Sequence, residues 1–344
     1  MHARLLRVPI ASAGMVATLA AIAWAHHREY PAQHWLAWRY AAYLGAATLW
    51  LAGCAGTGAR LVRALLARHV PALELGSLGL AAGLFTFQLT TFALGLLGAL
   101  HWAALVAVSV AMLVVGRSEL RRAAVTVRRV ARRPPAPRSL GALGALALGL
   151  GGLGLVYFAA LAPESVSFDA RWRHLVLAES YAAARHIGRY PEGWVFAASP
   201  HFSSLTFVPA FALPGLALFD RMALAVHFEW VVFAATTVLG VAALARRLAP
   251  RAPASVWAVR LLFPGVLVYD ATVSGGIDHL GATYAPAAVL AMLDCLRPAP
   301  RSPGAPGYPP PPPTIAARRA GRGGGPGSCS ARSSGEPRAR RRRR

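Results

Sequence analysis

Lysine and asparagine are absent from this chain of 344 residues, and acidic residues are scarce, with only 13 aspartates and glutamates. All 36 basic residues are therefore arginines, which give the chain a formal net charge of +23. Charged residues make up 14% of the sequence and hydrophobic residues 56%, more than the core of a soluble protein requires. The composition argues against an ordinary soluble protein and predicts a polytopic helical membrane protein.

Cysteines are few and the common cofactor motifs are missing. Cys54, Cys295 and Cys329 share no spacing typical of a metal site or of a disulfide framework. No phosphate-binding P-loop, dinucleotide fingerprint or HExxH motif occurs in the sequence. Much of the positive charge lies in short loops beside apolar runs or in the last 48 residues, and the loop arginines indicate membrane orientation. We therefore predict no nucleic-acid partner.

Apolar runs of about 20 residues, the length that crosses a bilayer, recur along the chain. Residues 1–163 are predicted to hold about five membrane spans, and Arg4 and Arg7 place the N-terminus in the cytoplasm. The loop 116–139 holds eight arginines, so it is predicted to be cytoplasmic and to lie on anionic lipid headgroups. The spans after the first cover roughly residues 36–56, 75–96, 99–116 and 140–162.

The fifth span, 140–162, is rich in glycine, which is typical of helices that approach each other closely. Because the spans alternate in direction, this span exits on the outer face, and residues 164–201 are predicted to form an extracytoplasmic loop. Residues 202–296 are predicted to hold three or four further spans. The piece 202–219 is short and interrupted by two prolines, so it is either a kinked span or a segment that does not cross fully.

The arginines after the clear span at 222–244 favour a partial crossing of 202–219, because that arrangement leaves Arg246 and Arg247 in the cytoplasm. Asp278 and His279 then emerge on the same outer face as the 164–201 loop. A full crossing of 202–219 would place them on the opposite face.

Residues 297–344 form a Pro/Arg/Gly-rich tail without apolar periodicity, and the tail is predicted to be disordered. A basic tail of this kind could bind anionic lipid or nucleic acid. We favour out-of-frame reading of GC-rich DNA as its origin, so that the natural protein continues with further spans after about residue 296. Reading the downstream DNA in the other two frames tests this expectation.

Within the loop 164–201, residues 169–186 are predicted to form an amphipathic helix at the membrane interface. Asp169 at its start is either an N-terminal cap or, beside Arg173 and His174, a general base or cation ligand. The residues alone leave both interpretations open. The acidic residues and histidines of the loop are Glu164, Asp169, His174, Glu179, His186 and Glu192, with His201 at its end.

Four short motifs in this loop resemble the first extracytoplasmic loop of GT-C-type polytopic glycosyltransferases, such as protein O-mannosyltransferases and lipid A aminoarabinose transferases. They are Asp169-Ala-Arg-Trp-Arg-His174-Leu, Ala178-Glu-Ser-Tyr181, Pro191-Glu-Gly and Pro200-His201. Asp278-His279, after a Ser-Gly-Gly, is similar to a second acidic motif of one bacterial branch. The resemblance covers roughly residues 140–296, and Arg173 stands where that branch usually has an aromatic residue.

The resemblance implies an all-α, GT-C-like bundle in a bacterial inner membrane, whose full-length form is an inverting glycosyltransferase. A polyprenyl-phosphate-linked sugar would be the donor, an unspecified glycan, lipid or protein the acceptor, and Asp169 the catalytic base. Asp169 and Asp278 are the possible ligands of a divalent cation. The residues implied in substrate binding are Arg171, Arg173, His174, Glu179, His201, Asp278 and His279.

Two other functions are compatible with the sequence. A transporter or flippase for a lipid-linked intermediate would need carboxylates inside the spans, and Glu229 is the candidate for that role. His227 and Glu229 lie near a span end, so they either act within the membrane or reach its interface. A non-enzymatic membrane protein would instead use the 164–201 loop as a docking surface.

Overall fold

A computed structural model of the chain describes five continuous stretches and some scattered residues between 13 and 34 and between 144 and 157. Helix accounts for 88% of the structure, and no strand occurs in the part of the chain that is described. This confirms the all-α prediction. Asp169, His201 and the tail 297–344 lie outside the described residues. The continuous stretches are 36–66, 70–132, 170–188, 202–251 and 278–296.

Three long helices come first, and shorter pieces follow. The long helices are α1 Leu36–Leu66, α2 Ala72–Leu96 and α3 Trp102–Arg132. A π-helical turn, Ala170–Leu175, leads into α4 Val176–Ala184, and a 3-10 turn, Phe202–Thr206, precedes α5 Val208–Ala212. Helix α6 Leu218–Ala235 continues through a second π-helical turn, Thr236–Val241, into α7 Ala242–Leu248. The last described helices are α8 Asp278–Ala282 and α9 Tyr284–Cys295.

Three of these helical stretches are long and apolar enough to cross a membrane, by length and composition. They are Ala72–Leu96, Trp102–Val130 and Leu218–Leu248. They support the prediction of a membrane protein and match three of the predicted spans in position. The third stretch combines α6, the second π-helical turn and α7.

Two helices run further than the sequence predicts. Helix α1 continues ten residues past the predicted end at 56, so Arg60 and Arg63 lie on a helix rather than in a loop. Helix α3 continues to Arg132 instead of ending near 116. Residues 117–132 contain neither glycine nor proline, and arginine, alanine and leucine favour helix, so nothing ends α3 before the prolines that follow.

Glycines let the backbone of α1 lie in direct contact with the backbones of α2 and α3. A Cβ on Gly83 of α2 would collide with the backbone carbonyl of Cys54, and a Cβ on Gly58 would collide with that of Gly79. A Cβ on Gly116 of α3 would lie 2.7 Å from the Gly56 carbonyl carbon. In the predicted fifth span, Gly144, Gly151 and Gly154 have no neighbour within 4 Å of such a Cβ, whereas Gly149 and Gly152 are buried. Close helix packing is therefore found in α1–α3, and the packing predicted at 140–162 remains a prediction because most of that run lies outside the described residues.

One end of the bundle, which we call the Asp220 end, gathers the start of α1, the start of α6 and the turn between α2 and α3. Arg39 of α1 lies 3.3 Å from the Asp220 carboxylate of α6. The α2–α3 turn is tied to the end of α4, since the backbone N–H of Leu100 donates to the Arg185 carbonyl at 3.1 Å. The N–H of Ile187 donates to the Gly95 carbonyl at 3.0 Å. The segment after Asp169 therefore lies at the Asp220 end.

The opposite end, which we call the Glu119 end, gathers the ends of α1, α7 and α9 and the start of α2. Arg63 of α1 pairs with Glu119 of α3 at 3.0 Å, and Arg247 of α7 pairs with Glu74 of α2 and Asp294 of α9. The α6–α7 stretch thus runs from the Asp220 end to the Glu119 end. Residues 202–219 form two short helical pieces rather than one long helix, a break that both the kinked span and the partial crossing allow.

Cysteine labelling tests this arrangement of ends. In a variant whose native cysteines are replaced, Leu97→Cys and His186→Cys are expected to react with an impermeant maleimide from the same side of the membrane. Both residues are exposed at the Asp220 end, whereas Arg246→Cys at the Glu119 end is expected to react only from the other side. Labelling of positions 186 and 246 from one common side would contradict the arrangement.

Candidate functional site

The motif that follows Asp169 folds as the π-helical turn Ala170–Leu175 and then as helix α4. Single π-helical turns are rare in proteins and occur frequently at functional sites. Ala170, Leu175, Leu177, Ala178 and Tyr181 are buried in the hydrophobic core, so one side of this segment packs into the bundle. The placement of the segment at a membrane interface remains a prediction.

His174 anchors the motif segment to the interior. Its side chain is buried, and its Nδ1 atom lies 3.2 Å from the Ser204 hydroxyl oxygen of the 3-10 turn. The same 3-10 turn also contacts α2, since Gln88 Nε2 of α2 donates to the Thr206 hydroxyl at 3.0 Å. Gln88 also accepts a hydrogen bond from the Tyr284 hydroxyl of α9 at 2.5 Å. The motif segment, the 3-10 turn, α2 and α9 are therefore joined by polar contacts through an otherwise apolar core.

A cavity of about 300 Å³ lies between the motif segment, α5 and α6. It is lined by two charged side chains, Arg171 and Glu179, and otherwise by apolar ones. A guanidinium group suits a phosphate, and apolar walls suit a hydrocarbon chain, so this lining fits an amphiphilic anion. The apolar lining residues are Leu175, Val176, Phe211, Leu218 and Met222.

Helix α6 contributes two different faces to this end of the bundle. Leu218 and Met222 line the cavity, whereas Asp220, about 200° around the helix from Leu218, faces α1 and lies close to Arg39. His227 lies on the same face as Asp220, two turns further along. Its ring packs against Tyr40 and Tyr43 of α1 and against Tyr157, with ring centroids 5.6–5.9 Å away.

His227 and Glu229 both lie in the interior of the bundle, with exposed fractions of 2% and 0%. Glu229 follows Met222 by seven residues, so it lies on the cavity-lining face of α6, about 10 Å deeper in the bundle. The position of the two side chains relative to a membrane interface remains a prediction. Ionisable groups within a membrane span are candidates for function.

The remaining predicted site residues are only partly described. Arg173 is half-buried, whereas the cavity-lining Arg171 is exposed. Asp278 and His279 begin helix α8, but their side chains lie outside the description, as do the side chains of Asp169 and His201. Asp278 precedes Asp294 by 16 residues, or about 24 Å of helix, which places the start of α8 towards the Asp220 end.

Arg171 and Glu179 line one cavity. His174, from the same segment, contacts the Ser204 hydroxyl of the 3-10 turn. A divalent cation near Asp169 and Asp278 remains a prediction, since neither side chain is described. Among the described residues, no group of three or more His, Cys, Asp and Glu side chains could hold a metal ion.

Sequence reasoning missed the partners that hold this end of the bundle together. Arg39 and Asp220 are 181 positions apart, and Ser204 and His174 belong to different segments of the chain. No periodicity or spacing connects such pairs. The one available signal was the occurrence of a carboxylate, Asp220, at the start of an apolar run.

Comparison with known proteins adds no relative to this description. No protein-family model, no curated protein and no solved structure matches the chain. A functional assignment therefore rests on the residues of the motif segment and on the cavity beside it.

Proposed function

We propose that this protein is a membrane glycosyltransferase of the GT-C type, which transfers a sugar from a polyprenyl-phosphate donor to an acceptor at the extracytoplasmic face. The observation that carries the proposal is the cavity lined by Arg171 and Glu179, two residues of the segment that follows Asp169 in the sequence. The motif resemblance supplies the reaction, and the cavity lining agrees in chemistry with a lipid-linked phosphate.

In the proposed reaction, the Asp169 carboxylate accepts the proton of the acceptor hydroxyl group. The acceptor oxygen attacks the anomeric carbon of the sugar, the bond from that carbon to the phosphate oxygen breaks, and polyprenyl phosphate leaves with the bonding electrons. Arg171 stabilises the charge that develops on the leaving phosphate, as a positioned guanidinium does. The apolar lining of α5 and α6 holds the first isoprene units of the donor.

A second candidate function is transport of a lipid-linked intermediate, and the position of Glu229 favours it. This carboxylate is fully buried within the α6–α7 stretch, on the face that lines the cavity. A transporter could use such a group to bind a cation or proton during the movement of its substrate.

Proteoliposomes that contain a labelled polyprenyl-phosphate sugar and a membrane extract as the acceptor source separate the two functions. The transferase is expected to release free polyprenyl phosphate, and Asp169→Asn is expected to lower the rate about 100-fold or more, the usual contribution of a general base. Glu164→Gln is the matched control, because it removes a carboxylate from the same loop and is expected to retain the rate.

Movement of labelled lipid across the bilayer without release of polyprenyl phosphate would contradict the transferase and favour the transporter. An Asp169→Asn variant with the rate of the unmodified protein would contradict the role of Asp169 as the base. Equal losses in Asp169→Asn and Glu164→Gln would show that the loop charge matters rather than one positioned carboxylate.

A further inference from the structure

A second cavity, lined mainly by arginines, lies at the Glu119 end of the bundle, at the opposite end from the motif segment. It has a volume of about 530 Å³ and lies between the end of α1 and the middle of α3. Its charged and polar lining consists of Arg60, Arg63, Arg117, Ser118, Glu119 and Arg122. Four guanidinium groups face one carboxylate, so the cavity carries a strong positive potential.

Glu119 fixes two of these arginines in place. Its side chain is only 7% exposed, and its two carboxylate oxygens accept from different partners. Arg63 Nε of α1 donates to one oxygen at 3.0 Å, and Arg122 Nη1 of α3 donates to the other at 2.6 Å. Each of these bonds uses one of the five N–H donors of a guanidinium, so Glu119 orients both groups while most of their donors remain for a ligand.

The other two arginines add donors on either side of this pair. Arg60 is held by a hydrogen bond from Nη1 to the Val115 carbonyl oxygen of α3 at 3.1 Å. Arg117 is exposed and lines the same cavity. Immediately next to the cavity, Gly56 and Gly116 hold α1 and α3 at backbone distance, so the arginines of the two helices are presented at a fixed separation.

The length of α3 indicates the depth of the cavity if this helix crosses a bilayer. Helix α3 has 31 residues, about 46 Å, and exceeds the hydrocarbon core of a bilayer, which is about 30 Å thick. With Trp102 at one membrane interface, Arg117 lies about 22 Å along the helix and Arg122 about 30 Å along it. Arg122 therefore lies at the far edge of the hydrocarbon core and Arg117 about 8 Å short of it, a distance that an arginine side chain spans to reach the phosphates of that leaflet.

We propose that this cavity binds the phosphate group of an anionic phospholipid headgroup. Guanidinium groups bind phosphate through paired, charge-assisted hydrogen bonds, and basic pockets between membrane helices recognise anionic lipids. A zwitterionic headgroup is expected to bind more weakly, because its cation is repelled by the same arginines. Because the cavity lies at the opposite end from the motif segment, this proposal does not depend on glycosyl transfer.

Native mass spectrometry of the full chain, delipidated in detergent, tests the proposal with phosphatidylglycerol as the probe. The unmodified protein is expected to bind it at least tenfold more tightly than phosphatidylcholine. The double variant Arg60→Ala/Arg117→Ala is expected to weaken that binding about tenfold or more, since it removes charge-assisted hydrogen bonds without touching Glu119. Arg117→Glu is expected to do the same with a single exposed substitution.

The control variant Arg128→Ala/Arg129→Ala removes the same charge from exposed positions of α3 beyond the cavity, and it is expected to leave the affinity within about twofold. Equal losses in the two double variants would overturn the proposal, since the binding would then follow total charge. Binding of inorganic phosphate without binding of phosphatidylglycerol would overturn the assignment to a lipid, as would equal affinity for phosphatidylcholine.

Discussion

Replacement of Gly83 by leucine is expected to prevent α1 and α2 from closing on each other and to remove most folded protein from detergent extracts. A Cβ at Gly83 would already overlap the backbone carbonyl of Cys54, and backbone cannot move aside as a flexible side chain can. Overpacking of a core typically costs 1–3 kcal/mol, and the cost here exceeds that range because a whole helix must shift. Fluorescence-detected gel filtration and thermal unfolding measure the loss.

The matched control for Gly83→Leu is Gly45→Leu in α1. Gly45 is exposed and has no atom within 4 Å of the position of an added Cβ, so this variant is expected to elute and unfold like the unmodified protein. A Gly83→Leu protein with an unchanged unfolding temperature would contradict the backbone contact between α1 and α2.

The class of fold could be predicted from the sequence because it depends on local composition. Apolar runs of about 20 residues must be helical in a bilayer, where every backbone polar group needs an internal partner. The prediction placed α2 and the α6–α7 stretch almost where the structure has them. Helix ends are harder to predict, since Arg60 and Arg117 lie beyond the predicted ends of their spans and yet extend the helices.

Glycine content alone did not predict which helices pack closely. The backbone contacts between α1 and α2 involve Gly58, Gly79 and Gly83, whereas Gly45 of α1 has no neighbour within 4 Å of an added Cβ. Close packing depends on whether glycines on two helices face each other across one interface. A single sequence does not contain that information. The long-range pairing of Arg39 with Asp220 was out of reach for the same reason.

For the candidate site, the sequence identifies the motif residues but not the residues that surround them in the structure. The motif residues Arg171 and Glu179 do line one cavity, as their spacing of eight residues on helical backbone allows. The burial of His174 against Ser204 was not predicted, because the two residues belong to different segments of the chain and no spacing connects them. The structure makes His174 an anchor of the motif segment, while its proposed contact with substrate remains a prediction.

Substitution of Arg247 by alanine is expected to destabilise the protein by about 3 kcal/mol. Arg247 joins α7 to two other helices, with Nη2 2.7 Å from the Asp294 carboxylate and Nη1 3.4 Å from that of Glu74. All three side chains are largely buried, at 14% exposure or less. Removal of one partner of a buried ion pair costs 3–5 kcal/mol because a charge is left uncompensated, and the remaining exposure favours the lower limit.

Arg246→Ala is the matched control for Arg247→Ala, because it deletes the same group from the adjacent, exposed position. It is expected to change the unfolding temperature little, whereas Arg247→Ala lowers it by roughly 5–10 °C. Addition of Glu74→Gln and Asp294→Asn to the Arg247→Ala variant should recover part of the lost stability, since neutral amides then replace the two carboxylates. Equal effects of Arg246→Ala and Arg247→Ala, or no recovery in the triple variant, would show that the ion pairs do not hold α7 against α2 and α9.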